Sequence, residues 1–174
     1  MDNQRFPIGQ YDLNQPIATE DIPHLIEKLQ RFPTILRREV QDLSDALLDT
    51  PYREGGWTLR QVVHHLADSH INAYTRVRIA LTETEPTIRV YDQDGWAELA
   101  DAHTAPIELS LQLLAALHQR WGLLFRSLKP EDWDTPFHHP ELGRVTLKQQ
   151  LGLYNWHCDH HLAHIQMLKW RLGW

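Results

Sequence analysis

Histidine is the residue type in this chain most able to do chemistry: there are twelve, and four of them, His157, His160, His161 and His164, crowd into one short stretch near the C-terminus. Imidazole is both the proton carrier of physiological pH and the commonest metal ligand. Two histidines four residues apart on a helix lie one turn apart on one face, where each can turn a nitrogen toward a single ion. His157 and His161 have that spacing, and their stripe, Leu147, Leu151, Tyr154, His157, His161, Ile165 and Leu168, is otherwise apolar or aromatic. A neutral imidazole on such a face needs a partner for each ring nitrogen, and a divalent metal is one such partner. His160 and His164 share the spacing, on a stripe with Leu153, Trp156 and Met167. They form a second candidate pair, or a polar flank that supports the first.

An earlier segment offers a third ligand. His65 shares its helical face with Val62, Ser69 and Ala73, small residues that let two helices approach and leave room for a metal and a substrate. His64 shares its face with Arg60, Asp68 and Arg78, which reads as solvated. His70 sits near the apolar stripe of Val63, Leu66 and Tyr74 and reads as a core histidine with a hydrogen-bond partner. The chain lacks the glutamate of the H-E-x-x-H metalloproteases, the Glu-x-x-His pairs of di-iron bundles and the C-x-x-C-H haem attachment.

The elements that must position these residues are helical. Ile22, Leu25, Ile26, Leu29, Phe32, Leu36, Val40, Leu43 and Leu47 recur at three- and four-residue steps, with Pro33 expected to bend or interrupt the helix because proline has no N–H and clashes with the preceding turn. Thr58 with Gln61, and Thr146 with Gln149, are capping-box pairs that open two further helices, one to about Thr82 and one to Gly173. Between them a short helix is expected around Asp94 to Ala102 and a long one from near Pro106 to about Lys129. Ahead of Thr19 the chain reads as an extended N-terminal arm with Pro7, Gly9 and Pro16. The expected architecture is an all-α four-helix bundle forming one domain over residues 1–174, with at most a short hairpin in its loops.

Composition narrows the partners. The net charge of -6 repels a phosphate backbone and an anionic membrane surface, so neither nucleic acid nor membrane is expected. No segment is apolar for eighteen residues and the polar N-terminus has no signal-peptide pattern, which predicts a cytoplasmic protein. Cys158 is the only cysteine, which excludes an internal disulfide and a thiolate-rich zinc site; on a bundle helix it reads as a small buried hydrophobe. The seven tryptophans, Trp57 and Trp156 among them, read as anchors of core and loops.

The run from Gly55-Gly56-Trp57-Thr58 through His64-His65-Leu66-Ala67-Asp68-Ser69-His70, together with Trp156-His157-Cys158-Asp159-His160-His161-Leu162-Ala163-His164-Ile165, resembles the DinB/YfiT superfamily, and more narrowly its YfiT branch of metal-dependent hydrolases. The likeness extends to Pro7-Ile8-Gly9, Pro51-Tyr52-Arg53 and His118-Gln119-Arg120-Trp121. It implies a cytoplasmic homodimer whose bundle binds one divalent metal ion per chain, zinc or nickel, through the histidine eight residues after Trp57 and a His-x-x-x-His pair on the last helix. On this chain those are His65, His157 and His161, the residues that helix phase also favours. Where the broader superfamily has an Arg-Gly-Gln-like segment, this chain has Leu162-Ala163-His164. Other members resemble transferases that join a low-molecular-weight thiol of the bacillithiol type to electrophiles.

Three protein ligands leave a coordination position for water or for a small-molecule substrate, the expected arrangement of a catalytic metal. Hydrolysis is the leading expectation and thiol transfer the alternative, because a metal can activate water or a thiol at the same position. Asp68 and His164 are the candidate catalytic residues, as general base or as support for a ligand. A non-catalytic metal-binding or sensor module, closed by a fourth protein ligand such as His70 or His164, is the non-enzymatic alternative.

Overall fold

The computed structural model describes residues 4–174, so the first three residues, Asp2 of the polar N-terminus among them, lie outside the description. Four long helices make the bundle: α1 (Ile22–Val40), α3 (Leu59–Thr82), α6 (Ile107–Arg126) and α7 (Leu147–Leu172). Short helices α2 (Asp45–Leu48), α4 (Gln93–Ala97) and α5 (Ala100–Thr104) lie in the connections, and the antiparallel pair β1 (Pro136–His139) and β2 (Gly143–Thr146) leads into α7. Within the described residues no helix is long and apolar enough to cross a membrane.

The packing order departs from simple up-and-down neighbours. Helices α1 and α3 each pack against both α6 and α7, so α1 faces α3 diagonally and α6 faces α7 diagonally. This order sets α3 beside α7 and inserts α6 between α1 and α3, the arrangement on which the site depends. The core they enclose takes Leu29, Leu36, Leu66, Leu151 and Ile165 from the stripes that periodicity selects, all wholly or almost wholly removed from water. On α6 the expected stripe of Leu109, Leu113, Leu117, Leu124 and Leu128 is corrected: Leu109 and Leu113 are exposed, and Leu111, Leu114, Leu117, Trp121 and Phe125 face the core, because the leucines of this helix lie on more than one face and the packing of α1 and α3 decides which is buried. Burying a side chain of this size contributes about 1.5–3 kcal/mol.

Helices α3 and α7 start where their capping boxes place them. Thr58 Oγ1 accepts from the Gln61 amide while Gln61 Oε1 accepts from the Thr58 amide; Thr146 and Gln149 repeat the exchange. Gly173 ends α7 in the left-handed conformation, φ 71°, that favours glycine.

The first helix corrects an expectation. Pro33 lies inside α1 and does not break it; the helix stops instead after Val40, and α2 begins after Ser44, whose Oγ accepts from the Leu47 amide. An interior proline costs about 3 kcal/mol, partly because the carbonyl four residues earlier loses its N–H partner. In α1 that carbonyl belongs to Leu29, and it accepts instead from His118 on α6. A group from a neighbouring helix takes the vacant bond, so the helix continues.

The N-terminal arm is docked onto α7. Gln149 Nε2 donates to the Leu13 carbonyl at 3.1 Å, and Tyr11 and Ile17 press so close to Gly152 that a Cβ there would collide with both. Docking brings Arg5 and Phe6 to the wall of a cavity of about 610 Å³.

Candidate metal centre

Helices α3 and α7 bring one nitrogen each of His65, His157 and His161 within 4.8 Å of one another. Their rings lie at centroid separations of 4.9 Å (His65 to His161), 5.4 Å (His65 to His157) and 4.5 Å (His157 to His161). His65 and His161 are buried and His157 is partly exposed, at the floor of a cavity of about 610 Å³. Burial pushes the His65 imidazolium down to about 3, with His160 and His164 adding to the shift, and holds His157 and His161 well below their ordinary value. All three rings are therefore neutral near pH 7, each with one nitrogen that carries a lone pair rather than a proton.

Which nitrogen that is follows from two hydrogen-bond chains that each end on a backbone carbonyl. His118 Nδ1 is 2.5 Å from the Leu29 oxygen; a carbonyl only accepts, so this nitrogen carries the proton and His118 Nε2 is bare. His118 Nε2 in turn accepts from His70 Nδ1 at 2.7 Å, and His70 Nε2 accepts from His157 Nδ1 at 3.1 Å. The chain requires both inner rings to be neutral. Burial holds His118 at about 4 and His70 well below its ordinary value. His157 is left with its Nδ1 proton committed and its Nε2 lone pair available.

The second chain starts from the arm. His164 Nε2 donates to the Arg5 carbonyl at 3.2 Å, so His164 Nδ1 accepts from His161 Nδ1 at 3.3 Å and leaves His161 Nε2 bare. Tyr52 stacks on the His164 ring at 4.1 Å. Hydrogen bonds of this kind fix the tautomer and the direction of a metal-binding imidazole. His65 differs from both: among the described residues no group hydrogen-bonds its ring, which packs against Trp57 at 4.6 Å.

A second histidine group, His160, His161 and His164, also has one nitrogen from each residue within 4.8 Å of the others. Both His164 nitrogens are engaged, however, which leaves that residue no lone pair to offer. His160 stacks on Trp156 at 4.6 Å, its Nδ1 is buried without a hydrogen bond, and burial lowers it to about 4. The donor chemistry therefore fits an ion at His65, His157 and His161 better than at the second group.

Other candidates fall elsewhere. Asp68 does not line the cavity: it lies on the flank of α3, half-buried, and is pushed up to about 6 by burial and by Asp101. The face of Arg60 and His64 corrects the solvated reading as well. Both are buried, because α2 and the segment around Ala105 cover the start of α3. Arg60 donates to Asp45, Asp49 and the Ala105 carbonyl, while His64 uses both nitrogens, on the Ala105 carbonyl at 3.1 Å and on Ser110 Oγ at 2.7 Å. Cys158 is buried and its thiol is held well above its ordinary value by burial.

Periodicity did not single out several cavity residues. Asp94 and Glu98 bring carboxylates to its wall from the short helical segment, and His103 donates from Nε2 to Glu98 Oε2 at 3.2 Å. His118, which anchors the longer hydrogen-bond chain, entered the sequence reading only as part of the family resemblance, with no role attached.

Fold and site together define a class: a four-helix bundle with buried neutral histidines converging below an open cavity. The chain belongs to the DinB superfamily, whose family model matches residues 28–165. It is 47% identical over 172 residues to a protein of Oceanobacillus iheyensis and 48% identical over 174 residues to one of Bacillus cereus, covering 99% and 100% of each chain, and both are named "Putative metal-dependent hydrolase". A solved structure described as YfiT from Bacillus subtilis, "a probable metal-dependent hydrolase with an unusual four-helix bundle topology", superposes with a TM-score of 0.96 at 47% identity, covering 99% of both chains.

Proposed function

We propose that the protein is a metal-dependent hydrolase of small molecules in which His65, His157 and His161 hold one divalent ion, zinc or nickel, with a position left open toward the cavity. The observation that carries this reading is the convergence of three neutral imidazoles, two of them with Nδ1 already committed and the third with no hydrogen bond among the described residues. A bound ion supplies Lewis acidity and makes water a usable nucleophile near neutral pH. The chain's own residues do the rest. His70 and His164 hold the two α7 ligands in one tautomer and orientation, and Trp57 and the arm residue Phe6 wall off solvent.

Proton transfer falls to the Glu98 and His103 pair at the cavity wall. Its carboxylate fixes the Nε2 proton of His103 and leaves Nδ1 to accept one from a nucleophile. This pair takes the role that the sequence offered to Asp68 and His164, one of which lies outside the cavity while the other has both nitrogens occupied.

Transfer of a low-molecular-weight thiol would use the same ligands, with the thiol in place of water. The deciding experiment purifies the protein without a histidine tag, measures bound metal, and follows ester and amide substrates and a thiol-reactive electrophile with and without added thiol. Metal near one equivalent and thiol-independent hydrolysis are expected. Turnover that strictly requires the thiol would replace hydrolase by transferase, and a metal-loaded protein inert to both substrate types would favour the sensor reading.

A further inference from the structure

We infer that a second, adjoining pocket centred on Arg76 is an anion subsite that takes the carboxylate of the substrate while its reactive group sits at the histidines. The pocket, about 430 Å³, is lined by Ser69, Arg76, Tyr91, His139, Tyr154 and His157 among others. It shares His157, Gln93 and Asp94 with the larger cavity, so the two spaces meet along the edge of the candidate metal centre.

The chain buries two arginines, and they are treated differently. Arg60, 5% exposed, is answered by Asp45, Asp49 and a backbone carbonyl. Arg76, 9% exposed, has neither a carboxylate nor a hydrogen bond among the described residues, and its Nε is fully buried without an acceptor. An unpaired buried charge is among the costliest features a fold can carry, and the planar fork of a guanidinium is matched in shape and charge by a carboxylate.

The neighbours of Arg76 are donors too. His139 Nδ1 accepts from the amides of Glu141 and Leu142, at 3.2 and 3.4 Å, which places the ring proton on Nε2 as a donor. The Tyr91 hydroxyl is buried beside Ser69 and within the field of Arg76. A buried cation beside a free imidazole donor lacks only an acceptor.

Geometry ties this pocket to the other site. His65, Ser69 and Arg76 follow one stripe of α3, Arg76 about 16 Å beyond His65 along the axis at 1.5 Å per residue, and helical side chains lean back toward the N-terminus, here toward Ser69 and His65. The exposed carboxylates of Asp92, Asp94 and Glu141 on the pocket wall disfavour a doubly charged phosphate more than a singly charged carboxylate. The chemistry therefore selects a small organic carboxylate.

The link to catalysis rests on the proposed hydrolase, whereas carboxylate binding does not, so the test begins with metal-free protein. Acetate is titrated while the arginine Nε–H signals are followed by NMR. A saturable shift of the Arg76 signal is expected, weakened in Tyr91→Phe and absent in Arg76→Gln, with Arg76→Lys as a charge-preserving control of folding. No saturable shift in the wild-type protein, or tighter binding of inorganic phosphate than of acetate, would overturn the assignment. In metal-loaded protein, monomethyl succinate should be hydrolysed at lower KM than its neutral dimethyl ester, and Arg76→Gln should erase the difference. Acetate binding in a protein that retains no metal would retire the hydrolase and keep the subsite; stoichiometric metal without acetate binding would do the reverse.

Discussion

His64 and His65 are neighbours in the chain, both buried near the start of α3, yet the fold uses them in opposite ways. His64 has each nitrogen matched by a protein group, one donating to a carbonyl and one accepting from a hydroxyl. Among the described residues His65 has neither matched. A buried imidazole without a partner costs free energy, so the second ring marks the place where something outside the chain is expected to bind. The contrast separates a histidine that holds structure from one that is held ready, which burial alone does not do. The two buried arginines, Arg60 and Arg76, repeat the contrast.

The sharpest way to break the comparison is to remove each ring in turn. His65→Ala should take bound metal from about one equivalent to near zero with little loss of thermal stability in the metal-free protein, whereas His157→Ala and His161→Ala should lose the metal and also some stability, because His70 and His164 lose their donors. His64→Ala should keep the metal and lose about 1–3 kcal/mol of stability, because Ser110 and the Ala105 carbonyl lose their partner. Metal analysis and thermal unfolding of both proteins decide it, and equal metal loss in the two variants would erase the distinction.

The next largest effect is expected at a residue that touches no ligand position. His118→Ala removes the acceptor that fixes His70 and, through it, the Nδ1 proton of His157. Metal affinity should fall about 10–100-fold while saturating metal still gives one site, the usual consequence of losing a group that orients a ligand. Histidine nitrogen shifts in metal-free protein should show His157 leaving its single tautomer.

The pH dependence of the metal-free protein tests whether these rings are neutral. His65 at about 3 and His118 at about 4 lie below the ordinary histidine value of about 6.5 that they regain on unfolding. Below about 6.5 the unfolded chain therefore binds protons that the folded chain refuses. Stability is complete above that pH and is lost as pH falls toward about 4. Asp68, raised to about 6, acts in the opposite sense and offsets part of the loss. Melting temperatures flat from pH 7 to pH 5 would contradict neutral buried imidazoles.

A smaller and more specific effect is expected at Pro33. Pro33→Ala returns an N–H to compete for the Leu29 carbonyl that His118 now uses. The helix should gain stability while metal affinity falls by less than about tenfold, since one carbonyl can accept twice. A rise in both would show that the proline does not serve the site.

Much of the fold was legible in the sequence because helical periodicity and capping are local. Thr58 with Gln61 and Thr146 with Gln149 announced the starts of α3 and α7, and phase placed His65, His157 and His161 on the faces that now meet. The interruption expected at Pro33 fails for the same reason: a chain read locally shows the missing N–H but not the neighbour that takes the orphaned carbonyl. His64 was misread because α2 and the Ala105 segment, remote in sequence, cover its face.

By itself, then, the sequence determined which residues have the types and spacing to hold an ion and which helices carry them, since both follow from a 3.6-residue repeat and side-chain chemistry. Only the tertiary structure decided which nitrogen of each ring is free, which of two adjacent histidines is satisfied, and that Arg76 is buried without a counterion among the described residues. Those outcomes depend on hydrogen-bond and charge partners supplied by other helices and by the arm, whose positions are set by the diagonal packing of the bundle and not by any local pattern.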